Sequence, residues 1–314
     1  MTSMAEGIAA QHALLDILYR RHVEPGQAYA LVDFPDHANV GDSAIWLGET
    51  RMLRAITGRS PDYVATWDDF DAAAFRRACP DGVLFLHGGG NLGDIWLHHQ
   101  TFRETILRDI RNRSVVQLPQ SIHFRDPARI APFSAIVADH PDFHLYVRDR
   151  ASLDFAARHL ACATDLAPDS AFALGPQAAR VAADCDLLML MRTDDERRAE
   201  DRSALSRVPG AVRLDWLDDD ALPDPAGTTK AQAYDHVAEA RVERGLRLLS
   251  RGRSILTDRL HAHILATLLG IPHVALDNDY GKISAYIRCW TEGIDGVRAA
   301  PSIEAAVASL GVAA

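Results

Sequence analysis

Lysine is nearly absent from this chain: Lys230 and Lys282 are the only two among its 33 cationic side chains. With alanine so abundant, this is a compositional bias toward arginine, and the number of arginines says nothing about function. A basic stripe is missing as well. Asp, Glu and Arg are mixed along the sequence and the net charge is -10, so no surface is set up to neutralise a run of phosphates, and nucleic acid is not an expected partner. Cysteine is scarce and scattered. Cys79, Cys162, Cys185 and Cys289 form no CxxC pair, which argues against a zinc site or a disulfide framework and for four reduced thiols. No uninterrupted apolar run approaches the roughly 18 residues of a membrane span, and His263, Gly270 and Pro272 break the most apolar C-terminal segment. The opening stretch carries Glu6, His12 and Asp16 with no basic segment before an apolar run, unlike an export signal. The expectation is a soluble, cytoplasmic protein.

What is present is an α/β alternation. At 314 residues and 48% hydrophobic content, the chain exceeds the usual size of one core, and two domains are expected. Strands are predicted over 28–32, 83–87, 115–118 and 143–147, with helices over 42–56, up to about Arg111, and over 152–160 behind an Asp149 cap. A break at Leu174-Gly175-Pro176 divides the chain into units of residues 1–175 and 176–314. The alternation then restarts with the apolar run 186–191, of the kind buried on both faces of a parallel sheet. Residues 215–229 read as an exposed acidic loop whose charge serves solvation, followed by a helix over 231–250. The clearest unit is a strand at 254–257, a helix over 259–269 stopped by Gly270, and a strand at 273–276. A last helix, 302–310, is long enough to cross back to the first unit. The fold class is two Rossmann-like α/β units.

Several strand ends carry chemistry-bearing residues. In TDRLHAH, Asp258 as N-cap would place Arg259 and His261 at the positive end of a helix, where an anion fits. Arg259 can pair with a carboxylate or phosphate, and His261 can supply a proton near neutral pH. Read locally, they also describe a surface arginine and a capping histidine. Arg192 follows the apolar strand of the second unit, where a doubly wound sheet opens its ligand crevice, and pairing with Asp194 or Asp195 is the plainer alternative. His87-Gly88-Gly89-Gly90-Asn91 ends a strand in three glycines that let a ligand approach the backbone, with Asp94 beyond. Asn39-Val40-Gly41-Asp42 follows another strand, with Asp42 as a candidate helix cap. Gln120, Ser121 and His123 follow a third and could hydrogen-bond a polyhydroxylated acceptor. Arg148, Asp149 and Ser152 read mainly as structural.

Taken in order, NVGD, FLHGGGN, LPQSIHF, VRDRASLDFA, APDSAFAL and TDRLHAHILATLLGIPHVALDNDYGK resemble the polysaccharide pyruvyl transferase family, its bacterial exopolysaccharide branch in particular, over residues 28 to 290. The resemblance implies a GT-B-like arrangement of the two units, phosphoenolpyruvate as co-substrate, a saccharide acceptor that is lipid-linked or polymeric, and no metal or further cofactor. Any membrane proximity would come through a lipid-linked acceptor alone. By position it assigns Arg192, Arg259 and His261 to the donor, with Lys282 in a family-like segment beside them. Asn39, Gly41, Asp42, Gly89, Gly90, Asn91, Gln120, Ser121 and His123 are the acceptor-side candidates.

The chemistry that follows is protonation of the methylene carbon by His261, attack of an acceptor hydroxyl on C2, and loss of phosphate, with arginines holding the anions. Asp94, ahead of Asp42 and His87, is the expected base. A nucleotide-sugar glycosyltransferase on the same two-unit plan is the alternative, since fold alone does not separate the two.

Overall fold

A computed structural model describes residues 1–192, 208, 210–217, 228–277 and 282–310, without the side chain of Lys282. The expected donor contact of Lys282 and the pairing of Arg192 with Asp194 or Asp195 therefore lie outside the described residues.

Two parallel sheets organise the chain. The first contains β1 (Tyr29–Val32), β2 (Tyr63–Ala65), β3 (Val83–Leu86), β4 (Gly89–Gly93), β5 (Val115–His123), β6 (Phe143–Val147) and β7 (Ala163–Leu166). Its order is β2-β1-β3-β5-β6-β7, with β4 on β5. The second contains β8 (Cys185–Leu190), β9 (Val212–Leu214), β10 (Gly252–Thr257), β11 (His273–Leu276) and β12 (Val297–Ala300), ordered β12-β11-β10-β8-β9. β1, β3 and β11 are buried at every residue, as strands covered by helices on both faces must be.

Alternate residues of these strands enter different cores. Leu31, Phe85 and Val116 of the first sheet share one apolar cluster with Leu188, Leu190 and Ile255 of the second. Ala30, Leu84 and Val115 point into a separate cluster, as do Leu187, Met189 and Leu256 on the far face of the second sheet. The two sheets are thus joined by one continuous apolar layer. The helix Val40–Thr57 runs through it, and Gly48 shows how tightly: a Cβ there would sit 1.9 Å from the Ser170 carbonyl oxygen, so only glycine permits the approach.

Three expectations about helix ends and connections change. Asn39, not Asp42, caps the helix Val40–Thr57, accepting from the Gly41 amide. The helix Leu260–Leu269 begins after Arg259, with no side-chain cap. Asp258 instead accepts the Arg192 amide at 2.8 Å, tying the end of β8 to the end of β10. The final helix, Ile303–Leu310, stays on the far face of the second sheet. Bridging falls to the N-terminal helix Met4–Tyr19 and to the helix Lys282–Trp290. Thr2 pairs with Ile294, Tyr19 bonds Ser170, and Trp290 donates to the Arg148 carbonyl. Asp149 caps the helix Arg150–His159 and Gly270 ends Leu260–Leu269 in the left-handed region, both as expected.

Beneath the helix Leu260–Leu269 a buried polar chain has only one proton arrangement. The His273 Nδ1–H donates to the Ile271 carbonyl, the His263 Nδ1–H donates to His273 Nε2 at 2.7 Å, and Thr291 donates to His263 Nε2. Burial favours the neutral form of both rings. Burial lowers both histidines, His273 to about 4, and also lowers His22 to about 4. In the unfolded chain these rings take protons near pH 6.5. Stability is therefore expected to be full above that value and to fall as the pH drops toward 4, by about 1.4 kcal/mol per pH unit for each histidine. Asp258, raised to about 6 chiefly by burial, opposes them, as do Glu49 and Asp235, raised by burial, and His87, raised because its burial is outweighed by Glu49. His37 and His144, lowered by burial, add to the loss. Urea midpoints measured between pH 7.5 and 4.5 check this, and a midpoint that rises on acidification would refute it.

Candidate active site

The carboxyl ends of both sheets open onto one cavity of about 730 Å³, the crevice position expected of parallel sheets. Loops after β1, β2 and β3 form one wall. Arg192 after β8, Trp216 after β9, and Arg259 with His261 after β10 form the other, and Arg148 reaches in from the end of β6.

Two of the arginines are held by carboxylates. Arg259 is buried and clasps Asp215 with Nε and Nη2, at 2.8 and 2.7 Å. This overturns the reading of Asp215 as solvation: its carboxylate fixes the plane of the guanidinium. Arg148 donates from Nη1 to Asp169 at 2.6 Å and from Nε to Ser121, which in turn donates to Asp149. Asp169 is fully buried and also faces His261 Nε2 at 3.3 Å. Burial pushes the Asp169 carboxyl up, but His261 and Arg148 outweigh it and hold the group well below the usual carboxylate range. The His261 ring packs against Gly41, where a Cβ would come within 2.3 Å of Nδ1. The NVGD segment therefore serves as the floor under His261.

On the opposite wall Asn39 donates to Asp42 at 2.8 Å, and His37 stands 3.6 Å from the same carboxylate. Burial raises the Asp42 carboxyl, yet His37, His261, His87 and Arg148 together bring it below its ordinary value. His87 is buried against Glu49 at 2.7 Å, and Glu49 also accepts the Gly88 amide. Burial alone would lower His87, but the Glu49 carboxylate raises it. Its Nε2 has no hydrogen-bond partner among the described residues.

Of the residues singled out from sequence, Arg192, Arg259, His261, Asn39, Asp42, His87, Gly90 and Asn91 line this one cavity. Others stand behind it. Gly89 has a φ of 124° and turns the chain toward Asn91. Gln120 holds Asn91 from beneath, donating to its side chain and accepting its amide, and Ser121 orients Arg148. His123 lies at the far end of β5, outside the lining. Asp94 is also outside: its oxygens accept the Arg125 and Asp126 amides at 2.7 Å, and those bonds offset burial and keep it below its ordinary value. It shapes a turn and is not among the residues that line the cavity. Local sequence pattern does not single out Asp169, Asp215, Glu49, Trp67 or Trp96 for the site and gives Arg148 a structural reading. Only Asp169 had a signal, its place in APDSAFAL.

The model of the polysaccharide pyruvyl transferase family matches residues 39–280. The chain belongs to this family. It is 34% identical to pyruvyl transferase 1 of Schizosaccharomyces pombe over 92% of this chain and 77% of that one. Similarity to EpsO of Bacillus subtilis, which bears a pyruvyl transferase name, is 30% over 85% and 86% of the two chains. An uncharacterised protein of Klebsiella pneumoniae shares the fold, with a TM-score of 0.63 and 18% identity over 93% of this chain and 99% of that one. As a member of a polysaccharide pyruvyl transferase family the protein is a transferase with a saccharide acceptor. Among its described residues, no helix is long and apolar enough to cross a membrane, and no group of three His, Cys, Asp or Glu could hold a metal ion.

Proposed function

We propose that the protein transfers the pyruvyl group of phosphoenolpyruvate to two hydroxyls of a saccharide, forming a cyclic ketal and releasing phosphate. The observation that carries this reading is the convergence of Arg148, Arg192, Arg259 and His261 on one cavity. A small molecule bearing both a carboxylate and a phosphate needs such cationic density, and partial burial strengthens each contact. In the same reading the two sheets are Rossmann-like units, divided near residue 175, that face this cavity in a GT-B-like arrangement.

His261 gives a proton to C3, which makes C2 electron-poor, and an acceptor hydroxyl adds there. C2 then loses its bond to the phosphate oxygen and gains a second acceptor oxygen. Of the two hydroxyl protons, one balances that on the new methyl group and the other leaves with phosphate. Asp42, ionised and partly exposed in the cavity, replaces Asp94 as the group that receives a hydroxyl proton. A weak base suffices, because the hydroxyl becomes acidic only as its oxygen bonds to C2.

Phosphoenolpyruvate is expected to raise the unfolding temperature, with a gain of about 2.7 kcal/mol at a hundredfold excess over Kd. Incubation with an acceptor should add the pyruvate ketal mass and release phosphate. A response to UDP-sugars or GDP-sugars with none to phosphoenolpyruvate would replace this reading by the glycosyltransferase one.

A further inference from the structure

Five large hydrophobic side chains are exposed among the described residues; two of them, Trp67 and Trp96, line the cavity, and a third, Leu97, follows Trp96 in the chain. A single exposed apolar side chain needs no explanation, whereas a contiguous patch at the rim of a concavity marks a binding surface. Trp67 is 43% exposed and Trp96 48%. The His98 ring stands between them, 4.8 Å from Trp67 and 6.4 Å from Trp96 by ring centroid. These three rings make one aromatic wall on the first-sheet side.

The wall is uncharged. Burial and then the neighbouring His99 lower His98 below its ordinary value, with Asp33 opposing and His37 adding to them, which favours the neutral ring. Two carboxylates nearby, Asp36 and Asp68, are in the cavity lining. Asp36 pairs with Arg241 at 3.4 Å and Asp68 accepts from the Thr66 hydroxyl, which leaves each an oxygen for a ligand hydroxyl, and the Phe34 amide bonded to the Ala65 carbonyl keeps their two loops adjacent. Carboxylates accept hydrogens from hydroxyl groups and repel phosphates. The site is therefore two-ended, with cations at Arg148, Arg192 and Arg259, and aromatic rings with carboxylates across from them.

We propose that Trp67, His98 and Trp96 form a stacking platform for an uncharged pyranose of the acceptor, and that this platform makes a neutral glycan, rather than a sugar nucleotide, the substrate that is pyruvylated. The apolar face of a pyranose packs on an indole, as a base or another ring does, while its hydroxyls reach the carboxylates beside it. This rests on the pyruvyl-transfer reading for the donor only. Both tryptophans are exposed, so their loss leaves the fold intact.

The test pairs two measurements. Calorimetry of the unmodified protein with phosphoenolpyruvate decides the donor reading by itself. Pyruvylation is then assayed, at saturating phosphoenolpyruvate, on neutral gluco-, galacto- and manno-disaccharides in parallel with UDP-sugars and GDP-sugars. Turnover of a neutral glycan is expected, with Trp67→Ala and Trp96→Ala each raising the KM for that glycan by about ten- to a hundredfold. The KM for phosphoenolpyruvate should stay within about twofold, as a loss confined to acceptor binding requires, and Trp96→Phe should recover most of the effect. An unchanged acceptor KM in both alanine variants, turnover of sugar nucleotides alone, or turnover of none of the panel overturns the platform. Each of these outcomes leaves the calorimetric result standing.

Discussion

Replacing His261 by alanine is expected to cut phosphate release by roughly 10² to 10⁴-fold, the usual contribution of a positioned general acid, while phosphoenolpyruvate binding remains measurable. The arginines that would hold the donor do not depend on the imidazole: Arg259 is fixed by Asp215, and Arg148 by Asp169 and Ser121. A 3.3 Å contact with Asp169 is long for a charge-assisted bond, which leaves the ring able to turn toward a ligand. Gly41→Ala is the companion variant. Its Cβ would meet the His261 ring at 2.3 Å, so the ring must move, and turnover should fall although no ionisable group has been removed. Single-turnover phosphate release alongside a binding measurement separates the chemical step from affinity. Near-normal release by the His261→Ala protein would remove His261 from the acid role.

Removing Asp169 should damage stability as well as turnover. Its carboxylate is fully buried between Arg148 and His261 and accepts the Ala171 amide. Asp169→Ala leaves the buried Arg148 guanidinium without its counter-charge, and losing one partner of a buried ion pair costs about 3 to 5 kcal/mol. The double variant Asp169→Leu, Arg148→Met removes both charges. It should regain much of the stability, since apolar replacement of a whole buried pair is often neutral, yet remain inactive because a donor-side cation is gone. Urea unfolding and phosphate release on the parent, the Asp169→Ala protein and the double variant check both halves. A single Asp169→Ala variant as stable as the parent would show that the pair is not what holds the 3-10 turn Ser170–Leu174 in place.

Contacts between residues near in sequence were legible in advance. The Asp149 cap acts over three residues and the Gly270 stop follows from the left-handed conformation that glycine adopts at no cost, so both could be placed from local pattern. The buried run in β8 was recognisable for the same reason, since a strand covered on both faces leaves no polar alternation. The ordered motifs brought Arg259 and His261 forward, and Arg192 was placed by its position after the first strand of the second unit. Errors arose where a side chain had two local options and distant atoms chose between them. Asp258 could have capped the next helix, but the Arg192 amide, 66 residues away, takes its oxygen. Asp94 looked like a base until the Arg125 and Asp126 amides were seen to occupy both its oxygens.

The sequence by itself determined the α/β class, the strand-end positions of Arg192, Arg259 and His261, and the family, because these depend on local periodicity and on the order of short motifs along the chain. Tertiary structure alone decided which groups pair and which remain exposed. Asp215 meets Arg259 across 44 residues, Asp169 meets His261 across 92, and two tryptophans reach one open edge from separate loops. Pairing energy and exposure depend on distance and on water in three dimensions, and separation along the chain does not encode them.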